Sequence, residues 1–307
     1  MAKREAGKTG FRAGFVAIAG KPNVGKSTLM NALIGAKISA VSRRPQTTRN
    51  QIKGILTRSD CQVVFVDMPG LIQPRDRFNE CLLEQAVEAL RDADVLYHLV
   101  EAGDPAPLSD EVAFVPHRLT CPKFLVVNKI DRLGPSASGN SVQIEAIAPH
   151  YDEVFRISAL TGQGLDDLLA RTAARMPIHP PYYDEDDLTD RDARFLAAEI
   201  VREKLFELTG QEVPYSIATH VEEFKEHSDG KHFIRVTIFV ERDTQKKMVV
   251  GAKGQMLKKV GEQARRDIEQ LLDHPVYLEL WVKVRKNWRK NEAELRRLGY
   301  AMSPQKS

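Results

Sequence analysis

The sequence predicts an α/β domain built on a mostly parallel sheet, followed by a small α+β domain. Three observations carry this. Short apolar runs alternate with helical patterns from Phe15 to Arg175, the mark of a sheet with helices on both faces. A break follows, with three prolines between Met176 and Pro181 and six acids against one arginine between Asp184 and Asp192. Beyond it the element order changes to α-β-β-α-α-β. The 307 residues suit two domains. The expected parts are a flexible tail over 1–12, a first domain over 13–177, an acidic linker over 178–192 and a second domain with a basic tail over 193–307.

The elements follow in order. Phe15–Ala19 is an apolar run that ends in a glycine loop, so it reads as a buried parallel strand. Thr28–Leu33 reads as a helix, and the polar residues 38–49 read as a loop. Ile52–Leu56 and Cys61–Val66 read as strands joined by a turn at Ser59-Asp60. Glu80–Arg91 has helical spacing. Val95–Val100, Lys123–Val127 and Val154–Ile157 are further strands, and the helix Asp166–Arg175 closes the set. In the second part, Phe195–Leu208 is an amphipathic helix, and Ser216–Phe224 and His232–Glu241 are strands. A short helix near Thr244–Val249, the loop Gly251-Ala252-Lys253-Gly254, a helix to about Leu272 and the strand Val276–Val284 complete the order.

Bulk properties narrow the class. Hydrophobic residues are 42% and charged residues 28% of the chain, ordinary for a globular protein. No apolar run approaches the roughly 20 residues that span a bilayer. The three cysteines, Cys61, Cys81 and Cys121, match no metal-binding spacing and read as reduced thiols. The net charge of +3 hides an asymmetry: Gln245–Tyr300 carries 14 Lys and Arg against 7 Asp and Glu, leaving the rest near −4. A basic end on a near-neutral body points to an anionic partner.

Chemistry concentrates in four short segments, each after a strand. Gly20-Lys21-Pro22-Asn23-Val24-Gly25-Lys26-Ser27 fits G-x-x-x-x-G-K-S between a strand and a helix. Its glycines let backbone N–H groups approach phosphate oxygens, and the helix opening near Thr28 points its positive end at the same anion. Lys26 is expected to reach the β- and γ-phosphates, and the Ser27 hydroxyl to ligate Mg²⁺. Asp67-Met68-Pro69-Gly70 follows, with Asp67 placed to hold Mg²⁺ and the Gly70 N–H to sense the γ-phosphate. Asn128-Lys129-Ile130-Asp131 comes next. An ionised Asp131 accepts two hydrogen bonds from the N1–H and amino group of guanine, and adenine would leave it poorly paired. Ser158-Ala159-Leu160 is expected to offer a backbone N–H to the guanine oxygen.

Two further readings complete this part. Thr47 and Thr48 lie between the first helix and the second strand, where Thr48 is expected to reach Mg²⁺ only with GTP bound. Leu71 stands where a water-orienting glutamine would be, and no arginine finger is identifiable despite Arg43, Arg44 and Arg49. Intrinsic hydrolysis is therefore expected to be slow, on the order of 10⁻³ s⁻¹ or below.

These segments, together with Pro45-Gln46-Thr47-Thr48-Arg49, resemble the TrmE–Era branch of translation-associated GTPases. Met68 departs from the usual Thr, but the Asp, Pro and Gly remain. Leu71 also fits that branch, which lacks the catalytic glutamine. In some relatives the asparagine corresponding to Asn23 helps hold a potassium ion that substitutes for an arginine finger. The second part, with Gly251-Ala252-Lys253-Gly254 between two helices, resembles a type II KH domain. Such a glycine-flanked loop lets a nucleic-acid backbone approach closely, and KH domains clamp about four nucleotides this way. Lys246, Lys247, Lys253, Lys258 and Lys259 give it charge. Trp281 and Trp288 lie in the closing stretch and could stack on bases, with core packing the better expectation for Trp281.

The resemblance thus implies a P-loop GTPase domain followed by a KH domain. It further implies a slow, Mg²⁺-dependent GTPase switch that binds small-subunit ribosomal RNA near its 3′ end and assists small-subunit assembly. A cytoplasmic monomer is expected, with peripheral association at the inner face of the cell membrane as a further expectation. Partnership with an RNA-modifying enzyme and membrane-linked signalling are the alternatives. The basic second part shows no added catalytic site for the first.

Overall fold

A computed structural model of the chain describes residues 10–41, 51–68, 78–80, 82, 90–103, 120–133, 144–145, 147–210, 213–227, 230–298 and 300. It divides into two compact units. The first holds most of residues 10–190. The second holds the residues from Arg191 onward, together with residues 39–41, 78–80 and 82.

The first unit is a six-stranded sheet in the order β2-β3-β1-β4-β5-β6. Its strands are β1 (Arg12–Gly20), β2 (Ile52–Thr57), β3 (Cys61–Asp67), β4 (Val95–Glu101), β5 (Lys123–Asn128) and β6 (Glu153–Arg156). All neighbours run parallel except β2 and β3. Parallel strands are covered on both faces, so β3 and β5 are nearly continuous apolar runs and are buried throughout or almost so. β1 starts three residues before the apolar run. Arg12, Ala13 and Gly14 pair with Cys61, Gln62 and Val63, although small residues give little periodic signal. Helices α1 (Lys26–Ile34) and α2 (Leu165–Arg175) turn Leu29, Met30, Leu165, Leu168 and Leu169 inward.

Residues 178–190 run along this unit and close its open edge. Ile178 bridges Arg12, and Thr189 bridges Gly54. The Ile55 amide donates to the Leu188 carbonyl at 2.9 Å. Buried Gln62 accepts from the amides of Tyr182 and Tyr183 at 2.7 and 3.0 Å and donates to the Tyr183 carbonyl at 3.0 Å. The acidic stretch is thus a strap on the edge strand β2, which would otherwise present unpaired backbone groups. Asp192 ends it as a helix cap, its carboxylate accepting from the Phe195 amide at 2.8 Å.

In the second unit α3 (Ala193–Leu208) and the one-turn α4 (Val213–Ser216) precede β7 (Ala218–Glu226) and β8 (His232–Val240). Then come α5 (Asp243–Val250), α6 (Gln255–Leu272) and β9 (Val276–Val284). The sheet order is β7-β8-β9, antiparallel and then parallel. Val260, Ala264 and Ile268 form one helical face of α6 and join Ile234, Val236, Ile238 and Val240 in a core.

The basic tail is not featureless. Trp288 opens a single turn, and α7 (Glu292–Arg297) follows, capped by Asn291. A second core forms there, in which Trp288 and Tyr300 enclose Phe78 and Leu82. Trp281 corrects the expectation of core packing. It is 50% exposed, because Val276 and Val282 turn inward and the period of two turns residue 281 outward. Trp288 takes the core position, with its indole N–H donating to the Ser216 carbonyl at 3.0 Å.

Candidate functional site

The sheet places four segments at one edge. β1, β3 and β5 end at Gly20, Asp67 and Asn128, and Ser158 follows β6 two residues on. Ligand crevices in open α/β sheets lie at the carboxyl ends of the strands. Gly25 caps α1 with φ 103°, and a methyl group there would overlap the Asn128 side-chain nitrogen. Only glycine allows the loop to pass so close to the next segment.

Lys26 is 7% exposed, and its ammonium donates to the carbonyls of Gly20 and Lys21 at 3.0 Å each. Burial pulls its pKa down, with the Asp67 charge acting against the fall. A buried cation at the mouth of a helix N-terminus is well suited to an anionic ligand. The Ser27 hydroxyl donates to the Asp67 carboxylate at 2.7 Å. These are two hard oxygen donors from different segments, the donor type Mg²⁺ requires, and the pair fits that ion. Met68 is buried beside Val66 and Leu90, so the departure from threonine adds to an apolar cluster.

Asn128 is the hub of the segments that begin at Asn128 and Ser158. Its amide nitrogen donates to the Val24 carbonyl at 2.8 Å, and its oxygen accepts from the amides of Lys129 and Ala159 at 2.8 and 2.9 Å. One side chain therefore ties three loops together. The Ser158 hydroxyl donates to the exposed Asp131 carboxylate at 2.5 Å, fixing its orientation while leaving acceptor capacity. The Ile130 amide holds to the Ile157 carbonyl at 3.2 Å. The Ala159 amide points at the Asn128 oxygen, so a base carbonyl arriving there would share that donor.

Gly20 to Thr28, Asp67, Met68, Asn128 to Asp131 and Ser158 to Leu160 thus converge on one edge. Leu160 is 79% exposed. Thr47, Thr48, Pro69, Gly70, Leu71 and the three arginines lie outside the described residues. Sequence reasoning missed Glu101, which ends β4 opposite Asn128 and pairs with Lys129 and Arg132. A lone carboxylate outside any motif carries no pattern signal.

The second unit carries its own surface. Gly251 (φ 73°) and Gly254 (φ 78°) flank Ala252 and Lys253 between α5 and α6. A methyl group at Gly251 would lie 2.7 Å from the Met256 Cβ, so the turn needs glycine there. Lys246, Lys247, Ala252, Lys253, Lys258 and Lys259 are all exposed. Beside the loop is an open groove of about 380 Å³ lined by Gly254, Leu257, Gly261, Arg265, Leu278 and Leu280, among others. Leu257, Leu278 and Leu280 give the groove apolar surface, and Lys258, Glu262 and Arg265 border it with charges of both signs; with the close-approach loop, this suits a single-stranded nucleic acid. Among the described residues no helix is long and apolar enough to cross a membrane.

Comparisons with known proteins agree with both halves. Residues 15–129 match the family model described as 50S ribosome-binding GTPase, and residues 212–289 match the KH domain. GTPase Era of Geobacter metallireducens is 47% identical over 297 residues, covering 94% of this chain and 98% of that protein. GTPase Era of Lactobacillus delbrueckii subsp. bulgaricus is 43% identical, covering 94% and 96%. A crystal structure of an Aquifex aeolicus Era variant bound to GDP and AlF4⁻ superposes with a TM-score of 0.89 at 38% identity, covering 95% of this chain and all of that one. Era in complex with MgGDPNP and nucleotides 1506–1542 of 16S ribosomal RNA gives 0.87 at 38% identity, with the same coverage. Relatives matched over nearly their whole length, and two domains in this order, show that the chain belongs to the GTPase Era family.

Proposed function

We propose that this chain is a GTP-driven switch that binds small-subunit ribosomal RNA near its 3′ end through the second unit and assists small-subunit assembly. The observation that carries the reading is the pairing of two sites: a guanine-nucleotide edge centred on Asn128, and a lysine-rich Gly251–Gly254 loop beside an open groove. An Era structure that holds both MgGDPNP and 16S ribosomal RNA supports it.

In this reading the amides from Gly20 to Ser27 and the Lys26 ammonium hold the phosphates. Ser27 and Asp67 hold Mg²⁺, with Thr48 as a further ligand. Asp131, steadied by Ser158, takes the guanine edge, with Lys129 and the Ala159 amide beside it. Bound Mg²⁺ neutralises charge on the phosphates. The Gly70 N–H senses the γ-phosphate, and hydrolysis is slow because Leu71 stands where a water-orienting glutamine would be. A potassium ion held partly by Asn23, whose side chain is exposed at the loop, belongs to the same proposal. So do a monomeric state and a cytoplasmic location. Lys246, Lys247, Lys253 and Lys258 meet RNA phosphates, while Gly251, Ala252 and Gly254 let the backbone approach.

The test is crosslinking of the full chain to ribosomal RNA, with sequencing of the adducts, under GTP analogue and under GDP. Enrichment near the small-subunit RNA 3′ end with the analogue is expected. An adduct map indifferent to nucleotide, or spread evenly over the RNA, would refute the proposal.

A further inference from the structure

We propose that Glu101, which belongs to no motif, is a positioning residue for the guanine nucleotide and sets how long it stays bound. This deepens the nucleotide reading and rests on it.

Glu101 is the last residue of β4, and it stands opposite Asn128 in the β4–β5 register. The next amide, of Ala102, donates to the Asn128 carbonyl at 2.8 Å, so the backbone beside Glu101 is tied to the base loop. One carboxylate oxygen meets the Lys129 ammonium at 2.5 Å, and the other meets the Arg132 guanidinium at 3.0 Å. Lys129 also donates to the Asn23 carbonyl at 2.6 Å. A single ammonium therefore bridges the phosphate loop and the base loop, and Glu101 supplies its counter-charge.

The backbone shows why that bridge needs a clamp. Asn23 and Lys129 both have φ 66°, the left-handed region that side chains other than glycine rarely occupy. Such conformations persist only where their surroundings over-determine them. Lys129 has a side chain only 17% exposed, so water compensates its charge poorly and an anion must do so. Arg132 is 64% exposed and has water as an alternative. Of the two cations on Glu101, Lys129 is the one that depends on it.

A nucleotide held at its phosphates by residues 20–27 and at its base by residues 128–131 leaves when those two loops separate. The Lys129–Asn23 bridge opposes that separation, and the Glu101 charge keeps the bridge in place. Glu101 acts on the bridge through Lys129, so its effect falls on nucleotide release.

The experiment uses the full chain and fluorescently labelled GDP, with dissociation followed by stopped flow. Glu101→Gln keeps the shape and removes the charge. It should raise the dissociation rate about tenfold, the scale of losing one charge-assisted hydrogen bond, with the association rate within about twofold. Glu101→Asp keeps the charge and should recover part of the loss, which also guards against a misfolded glutamine variant. In a Lys129→Met background, Glu101→Gln should change the rate by less than about twofold. An unchanged rate in Glu101→Gln would overturn the inference. So would an equal increase in both backgrounds, since the residue would then act through something other than Lys129. A wild-type chain that failed to bind labelled GDP would sink the nucleotide reading itself, an outcome distinct from either.

Discussion

The Ser27 hydroxyl donates to the Asp67 carboxylate at 2.7 Å, joining the first residues of α1 to the last residue of β3. The two lie 40 positions apart in the chain, and neighbouring parallel strands bring them together. If this pair holds Mg²⁺, then Ser27→Ala and Asp67→Ala should each make GDP release insensitive to Mg²⁺. The expected outcome is loss of the slowing that millimolar Mg²⁺ produces in the wild-type chain. A variant whose release still slows with Mg²⁺ would place the ion elsewhere.

Asp131 is exposed, and the Ser158 hydroxyl steadies it. Asp131→Asn replaces a bidentate acceptor with a group that also donates. GTP affinity should fall on the order of 10²–10³-fold, the scale of two lost charge-assisted bonds. Xanthosine triphosphate, which has an oxygen where guanine has its amino group, should gain. Competition binding with the two nucleotides measures the exchange. Equal loss for both would contradict the base-reading role.

Replacing Gly251 and Gly254 with Asp adds side chains at positive φ and negative charge at the proposed phosphate approach. RNA affinity should fall at least about tenfold at fixed salt, with GDP affinity unchanged. Filter binding at one ionic strength decides it. Retained RNA affinity would move the RNA surface away from this loop.

His98 is fully buried on β4 and bonds the Tyr151 hydroxyl through Nδ1, and among the described residues no partner meets its Nε2. Burial, with a smaller contribution from the Lys21 charge, lowers its pKa to about 4. In the unfolded chain it titrates near 6.5. Between those values the unfolded chain binds more protons, so stability is full above about pH 6.5. It falls as pH drops and has lost about 3 kcal/mol by pH 4. Urea unfolding of wild type and His98→Gln across pH 7 to 4 tests this. The variant should show a flatter profile, and parallel profiles would assign the loss to other groups.

Phe78 is 1% exposed and packs edge-on against Trp288 and Tyr300, with ring centroids 5.6 and 4.8 Å away. Phe78→Ala should destabilise the second unit by about 3–5 kcal/mol. Trp288 emission should shift to the red as its pocket opens. A Trp281→Phe background isolates that signal, because those are the two tryptophans of the chain. An unshifted spectrum with unchanged stability would contradict this packing.

Much of this protein was legible in its sequence, for a physical reason. The segments at Gly20–Ser27, Asp67–Gly70, Asn128–Asp131 and Ser158–Leu160 are patterns of adjacent residues, and the structure brings their described residues to one edge of the first sheet. Strand and helix periods are local too, so both sheets and the order α-β-β-α-α-β could be read. Parity along β9 would also have placed Trp281 outside, because its neighbours at 280 and 282 are apolar. What only the tertiary structure decided depends on partners far apart in the chain. Gln62 pins residues 182–183 and makes a strap of an apparent linker. Phe78 lies in a core completed by Trp288 and Tyr300, more than 200 positions later. Glu101 is one acid among 42 Asp and Glu until the register of β4 and β5 sets it against Lys129. Periodicity shows which face of an element is buried, and folding alone supplies what it is buried against.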